Sequence, residues 1–251
     1  MASDQTARMM ERARNRVRRP LARTPHVFDA LIAIRSDRRA RLASRRSILV
    51  IEGFPRSANT YSVVAFLLAN GDRGHIGHHL HAPGHVARAV RFHLPTIVLI
   101  RDPRAACLSY VIRRPAIPVS DALTDYLDFY TSVWPLRDRF VTGEFGQVVS
   151  DFGAVIGAVN EKFHTDFALY SHTPENEQAC MAMLEQRNRR ETGGYVSETY
   201  VARPSAYRTE LKQQLERTLE RGRAAVLLER AERLYRQFVA DDGIAGPRAA
   251  R

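Results

Sequence analysis

Three groups of residues have the types and spacing to handle a phosphorylated substrate. The first is Gly53-Phe54-Pro55-Arg56-Ser57-Ala58-Asn59-Thr60-Tyr61, where an apolar run ends on a glycine, crosses small and hydroxylic residues and enters a helical pattern. Backbone N–H groups and a helix N-terminus then converge on one point, which suits a phosphate. Arg56 stands where the common nucleotide-binding loop has lysine, and no lysine precedes Lys162, so a G-x-x-x-x-G-K-[ST] loop is excluded. The second group is Arg101-Asp102-Pro103 followed by Ser109. Pro103 suits a first helical turn, and Ser109 then turns its hydroxyl back towards Arg101, so that a guanidinium fork and a hydroxyl can grip one phosphate. Taken by itself, Arg-Asp-Pro is also a common strand-to-helix junction. The third group is His75, His78, His79, His81 and His85. Neutral imidazoles bind zinc, but no cysteine or carboxylate lies among them, and no metal is expected. A general base with hydrogen-bonding neighbours, or structural histidines, are the readings that stand.

The elements that must position these groups alternate. Short β-branched runs at 47–52, 96–101 and 146–150 predict strands, each followed by a loop and a helical pattern. Helices are predicted near 57–69, 84–92, 103–113, 121–141 (bent near Pro135), 151–163, 175–190 and 205–238. Ser150 or Asp151 would cap the fifth and Ser205 the last. Gly193-Gly194 marks a connection before the C-terminal helices. The pattern predicts an α/β fold with a parallel sheet covered by helices on both faces, and ligands bind beyond the carboxyl ends of such strands. At helical spacing, Tyr126, Phe129, Tyr130 and Trp134 read as a core face, although the same helix could line an acceptor pocket.

A chain of 251 residues can bury one full domain. The apolar runs are too short to span a bilayer, and the N-terminus lacks the apolar stretch of a secretory signal. Cys107 and Cys180 have no C-x-x-C spacing and read as reduced apolar thiols in a cytosol. Residues 1–46 hold thirteen Arg against four acidic residues, a surplus of nine in a net charge of +11. Such an arm binds nucleic acid or an anionic membrane non-specifically, or is a solvated, partly helical extension with the apolar stretch 27–34 docked on the domain. The divisions are therefore 1–46 (basic extension), 47–240 (α/β domain) and 241–251 (tail).

With both anion groups in view, the chain resembles the sulfotransferases that use 3′-phosphoadenosine 5′-phosphosulfate (PAPS), in particular their bacterial members. Pro55-Arg56-Ser57-Ala58-Asn59-Thr60-Tyr61 is similar to that family's 5′-phosphosulfate loop, P-[KR]-S-G-T-T-[WY], and Arg101 and Ser109 have the spacing of its 3′-phosphate motif. His79-Leu80-His81-Ala82-Pro83 is similar to its K-x-H-x-P element, and the resemblance extends over roughly 47–240, thinning after Asp166. It implies a P-loop-like domain in which the backbone of residues 56–60 and the Ser57, Asn59 and Thr60 side chains hold the 5′-phosphosulfate. Arg101 and Ser109 would take the 3′-phosphate, with Tyr61 near the adenine. His81 would be the general base, with His79, His78 and Glu52 in reserve, and Arg56 would stabilise charge on the bridging oxygen. Arg56 can act only as a cation and donor, never as a general acid. Ala58 in place of the family's glycine implies φ < 0. The family's C-terminal R-K-G element is absent, and Arg203 would stand in for it in cofactor binding.

The resemblance implies a small-molecule, lipid or carbohydrate acceptor with a hydroxyl or amine, and no specific nucleic acid. The implied location is the cytoplasm, with contact to the inner-membrane surface through residues 8–46. The alternatives are a P-loop kinase for a nucleotide or small molecule, which would want a loop lysine and a magnesium-binding carboxylate, and a nucleic-acid or anionic-membrane binding protein acting through the basic arm.

Overall fold

The computed structural model describes residues 39–191, 193–194 and 206–241. Four strands form one all-parallel sheet: β1 (Leu49–Gly53), β2 (Ile76–His78), β3 (Thr96–Ile100) and β4 (Val141–Glu144), in the order β2-β1-β3-β4. Val50 faces Thr96 and Gly77, and Ile97 faces Val141, which sets the register of the three pairings. Buried on both faces, β3 needs the apolar run Ile97–Ile100 that it has, and β1 is apolar from Leu49 to Ile51 before the buried, hydrogen-bonded Glu52. The helices are α1 (Asn59–Asn70), α2 (Pro83–Arg91), α3 (Pro103–Arg113) and α4 (Val119–Val133), then α5 (Phe145–Ser150), α6 (Phe152–Phe163), α7 (Pro174–Glu191), α8 (Ala206–Leu219) and α9 (Gly222–Asp241).

Alternation along β3 feeds two cores. Ile97 and Leu99 join Val63 and Phe66 of α1 and Phe152, Val155 and Ile156 of α6. Val98 and Ile100 join α3, α4 and α9, through Leu108, Tyr126, Tyr130, Leu228 and Phe238. The close approach of β1 to β3 depends on Gly53, where a Cβ would lie 2.5 Å from the Leu99 carbonyl oxygen. Cys107 and Cys180 are buried free thiols. Among the described residues no helix is long and apolar enough to cross a membrane.

Several predicted elements are corrected. Residues 146–150 form helix α5, not a strand, because the Glu144 side chain caps it by accepting from the Gly146 and Gln147 N–H groups, and the strand lies just before it in β4. β2 was not predicted; its three residues are held by pairing with β1. The helix predicted over 121–141 ends at Val133, passes through a 3-10 turn (Trp134–Arg139) that contains Pro135, and gives way to β4. The span predicted as 205–238 is broken between α8 and α9 at Gly222, whose φ is 54°. Asp151 does cap α6, accepting from the Ala154 N–H at 3.0 Å. Arg203, Ser205, the 27–34 stretch, nearly all of the basic arm and nearly all of the 241–251 tail lie outside the described residues.

Candidate functional site

The chain leaves β1 through α1 towards β2 on one side, and leaves β3 through α3 and α4 towards β4 on the other. The loops after β1 and β3 therefore lead away in opposite directions from the carboxyl ends of two adjacent strands, the place where sheets of this kind form a ligand crevice. The first of these loops contains Arg56 and the second begins at Arg101, so both predicted anion groups flank that crevice.

The loop after β1 has an alternating backbone. Arg56 (φ 73°) and Ala58 (φ 66°) are left-handed, whereas Ser57 and Asn59 are not. Alternating handedness turns successive N–H groups towards one side, forming a concave nest for an anion. Among the described residues, the N–H groups of Ser57, Ala58, Asn59 and Thr60 donate to no protein acceptor. The expectation of φ < 0 at Ala58 is thus corrected: the nest requires the left-handed geometry, and alanine adopts it at a cost of about 1 kcal/mol. Ser57 Oγ is fully buried, close to the Tyr130 hydroxyl but without hydrogen-bond geometry to any partner. An orphaned hydroxyl inside a nest of undonated amides fits an oxyanion. Asn59 Nδ2 donates to the Phe54 carbonyl at 3.0 Å and so braces the loop, while its buried Oδ1 has no hydrogen-bond partner among the described residues.

The two anion groups meet. Arg56 Nε donates to Ser109 Oγ at 2.9 Å, and Arg101 Nη1 donates to the Arg56 carbonyl at 3.0 Å. Asp102 caps α3 through the Ala105 N–H at 2.8 Å, with Pro103 in the first turn, and this aims buried Ser109 at the crevice. The Arg101 guanidinium lies 3.8 Å from the centre of the Phe145 ring, a cation–π platform that sequence reasoning missed because 146–150 read as strand. The α4 tyrosines combine the two readings of their stretch. Tyr126, Phe129 and Tyr130 are buried core, yet the hydroxyls of the two tyrosines serve the strand ends. Tyr130 Oη donates to the Leu99 carbonyl at 2.7 Å and accepts from the Phe54 N–H at 3.3 Å, while Tyr126 Oη donates to the Arg101 carbonyl at 2.8 Å.

The histidines divide by role. His81, also left-handed (φ 50°), places Nδ1 2.8 Å from the Gly53 carbonyl at the end of β1. A carbonyl only accepts, so Nδ1 carries the proton and a neutral ring keeps its basic lone pair on Nε2. Glu52 is no base. It is fully buried, with Oε1 accepting from Leu80 N–H (2.7 Å) and His85 Nδ1 (2.9 Å), and Oε2 from His81 N–H (2.9 Å) and Gly53 N–H (3.3 Å). Burial alone would raise its pKa, but the hydrogen bond from His85, the proximity of His85 and His81 and the Leu80 N–H outweigh it, and the net direction is downward. His85 Nε2 accepts from the Ala43 N–H at 2.8 Å, which puts the imidazole proton on Nδ1, facing Glu52. His79 is likewise engaged at both nitrogens, with Thr60 Oγ1 and His78 Nδ1. His75 lies 2.7 Å from Ser47 Oγ. Among the described residues no three His, Cys, Asp or Glu side chains are arranged to hold a metal ion.

Tyr61 is engaged with α7 and the stretch just before it. Its hydroxyl donates to Glu177 Oε1 at 2.8 Å, and its ring packs against Tyr170 and stacks on His172, which ties α1 to α7. The gathered set is therefore Arg56, Ser57, the loop amides, Arg101, Ser109 and Phe145, with Thr60 and His81 beside the same loop. Scanned against protein-family models the chain finds no match, and no curated protein matches it.

Proposed function

We propose that this protein is a PAPS-dependent sulfotransferase with a P-loop-like core, transferring a sulfuryl group to a hydroxyl or amine acceptor. The observation that carries the reading is the junction at the crevice, where Arg56 is bonded to Ser109 and Arg101 to the Arg56 backbone. A donor with a phosphosulfate at one end and a 3′-phosphate at the other needs two adjoining anion sites, and the crevice supports that requirement. The nest of Ser57–Thr60 amides and the Ser57 hydroxyl would take the 5′-phosphosulfate, and Arg101 and Ser109 the 3′-phosphate.

Chemically, the acceptor oxygen attacks sulfur as His81 Nε2 removes its proton, and the bond from sulfur to the bridging phosphate oxygen breaks. The leaving group is adenosine 3′,5′-bisphosphate, whose new negative charge Arg56 would stabilise. Calorimetric titration of the full chain with adenosine 3′,5′-bisphosphate is expected to show binding that Arg101→Ala weakens on the order of tenfold or more. A folded protein that does not bind it, or binds it equally well after that substitution, overturns the reading.

A further inference from the structure

His78 and His79 take no part in the transfer step, yet they are joined to the anion loop. Thr60 Oγ1 lies 3.0 Å from His79 Nε2, and His79 Nδ1 lies 2.8 Å from His78 Nδ1. Every group in this chain can donate or accept, so the proton positions along it are correlated. Both imidazoles are kept neutral by burial, which leads the causes pushing His78 down to about 4 and His79 well below its ordinary value. A neutral imidazole has one N–H, and two arrangements then satisfy both contacts.

In the first, the Thr60 hydroxyl donates to His79 Nε2, and His79 Nδ1–H donates to His78 Nδ1. In the second, His78 Nδ1–H donates to His79 Nδ1, His79 Nε2–H donates to Thr60 Oγ1, and the Thr60 proton is released to a third partner. Thr60 is the second residue of α1, at the edge of the nest. An oxyanion there offers only lone pairs: the first arrangement repels it and the second bonds it. His79 holds a left-handed backbone (φ 58°), unfavourable for a residue with a Cβ, while presenting its ring to Thr60.

We propose that His79 and His78 form a tautomeric relay that sets the Thr60 hydroxyl as a donor to an anion in the loop, so that anion binding moves the His79 proton from Nδ1 to Nε2. No charge is gained or lost. Each imidazole keeps one proton, which changes nitrogen through exchange with solvent. His79 and His78 are thus positioning residues. The relay rests on the proposed function only in requiring an anion in this loop.

Nitrogen-15 NMR of the imidazoles in the full chain at neutral pH reads the tautomer directly, with adenosine 3′,5′-bisphosphate and, separately, inorganic sulfate as probes. The expected result is a His79 pattern protonated at Nδ1 without probe and at Nε2 with it. Bisphosphate bound with the His79 pattern unchanged overturns the relay and leaves the sulfotransferase reading standing. Binding of neither probe overturns both. Sulfate binding with the switch, but no bisphosphate binding, supports the relay and overturns the sulfotransferase reading. In calorimetry, Thr60→Val and His79→Leu should each weaken bisphosphate binding on the order of tenfold, and the double variant no further. His79→Gln, which keeps an N–H within reach of Thr60, should recover most of the loss; fully additive losses would contradict the relay.

Discussion

Acidifying the solution from pH 7 to pH 5 should cost the fold about 4 kcal/mol through two buried imidazoles, His78 and His79. An unfolded histidine titrates near ~6.5, whereas burial holds His78 at about 4 and His79 well below the ordinary value. Within this window the unfolded chain takes up protons that the folded chain refuses. The contribution is complete above ~6.5 and is lost as pH falls towards the folded value. At pH 5 an unfolded imidazole lies about 1.5 units below its pKa, which at ~1.36 kcal/mol per unit is about 2 kcal/mol for each residue. The folded pKa of His79 need not be known closely, because the unfolded value sets the size of the effect. Glu52 acts in the same direction: its lowered pKa withdraws stability as pH falls from the ordinary carboxylate value of the unfolded chain towards the folded one, mostly below this window. For a chain of this size about 4 kcal/mol corresponds to roughly 8–16 °C in the thermal midpoint. Urea denaturation and thermal melts at pH 5, 6, 7 and 8, at constant ionic strength, measure it. The double variant His78→Gln with His79→Gln should flatten the profile. A wild-type profile already flat between pH 7 and pH 5, or a double variant falling as steeply as the wild type, refutes the reasoning.

Four substitutions test the local geometry. Ala58→Gly relieves a left-handed alanine (φ 66°), but the added entropy of the unfolded glycine offsets most of the gain, so thermal melts should show a stabilisation of no more than about 0.5 kcal/mol. Gly53→Ala drives a Cβ to 2.5 Å from the Leu99 carbonyl and should cost about 2 kcal/mol or more by urea denaturation. Tyr130→Phe strips one partner each from the Leu99 carbonyl and the Phe54 N–H, an expected loss of about 1–3 kcal/mol in the same assay. Phe145→Ala removes the platform under Arg101 and should weaken bisphosphate binding by a factor of about 3–10 in calorimetry, with the melting point changing far less than for Gly53→Ala.

The parts of the site legible in the sequence are those built from neighbours along the chain. The loop at 53–60 announced itself because strand, glycine, small residues and helix follow one another. Arg101, Pro103 and Ser109 did so because a capped helix has a known pitch. Contacts across long separations left no local trace: Phe145 under Arg101, His79 against Thr60, and Glu177 holding Tyr61. The error at 146–150 has the same origin. Val148-Val149 reads as strand, but Glu144, a less usual cap, satisfies the first amides and starts a helix. Ala58 misled for a further reason, since residue preference argued for φ < 0 while the loop as a whole imposed the opposite sign.

Glu52 has a mechanical consequence. It hangs from β1 and grips the Leu80 and His81 amides, while the His81 ring is bonded to the Gly53 carbonyl one residue further along the same strand. Shifting the His81 turn by an ångström would stretch all three bonds together, so the turn shares the stiffness of the sheet. Thermal jitter of this imidazole should then match that of a strand rather than that of a surface loop, and its aim should hold steady through repeated loading and emptying of the cleft.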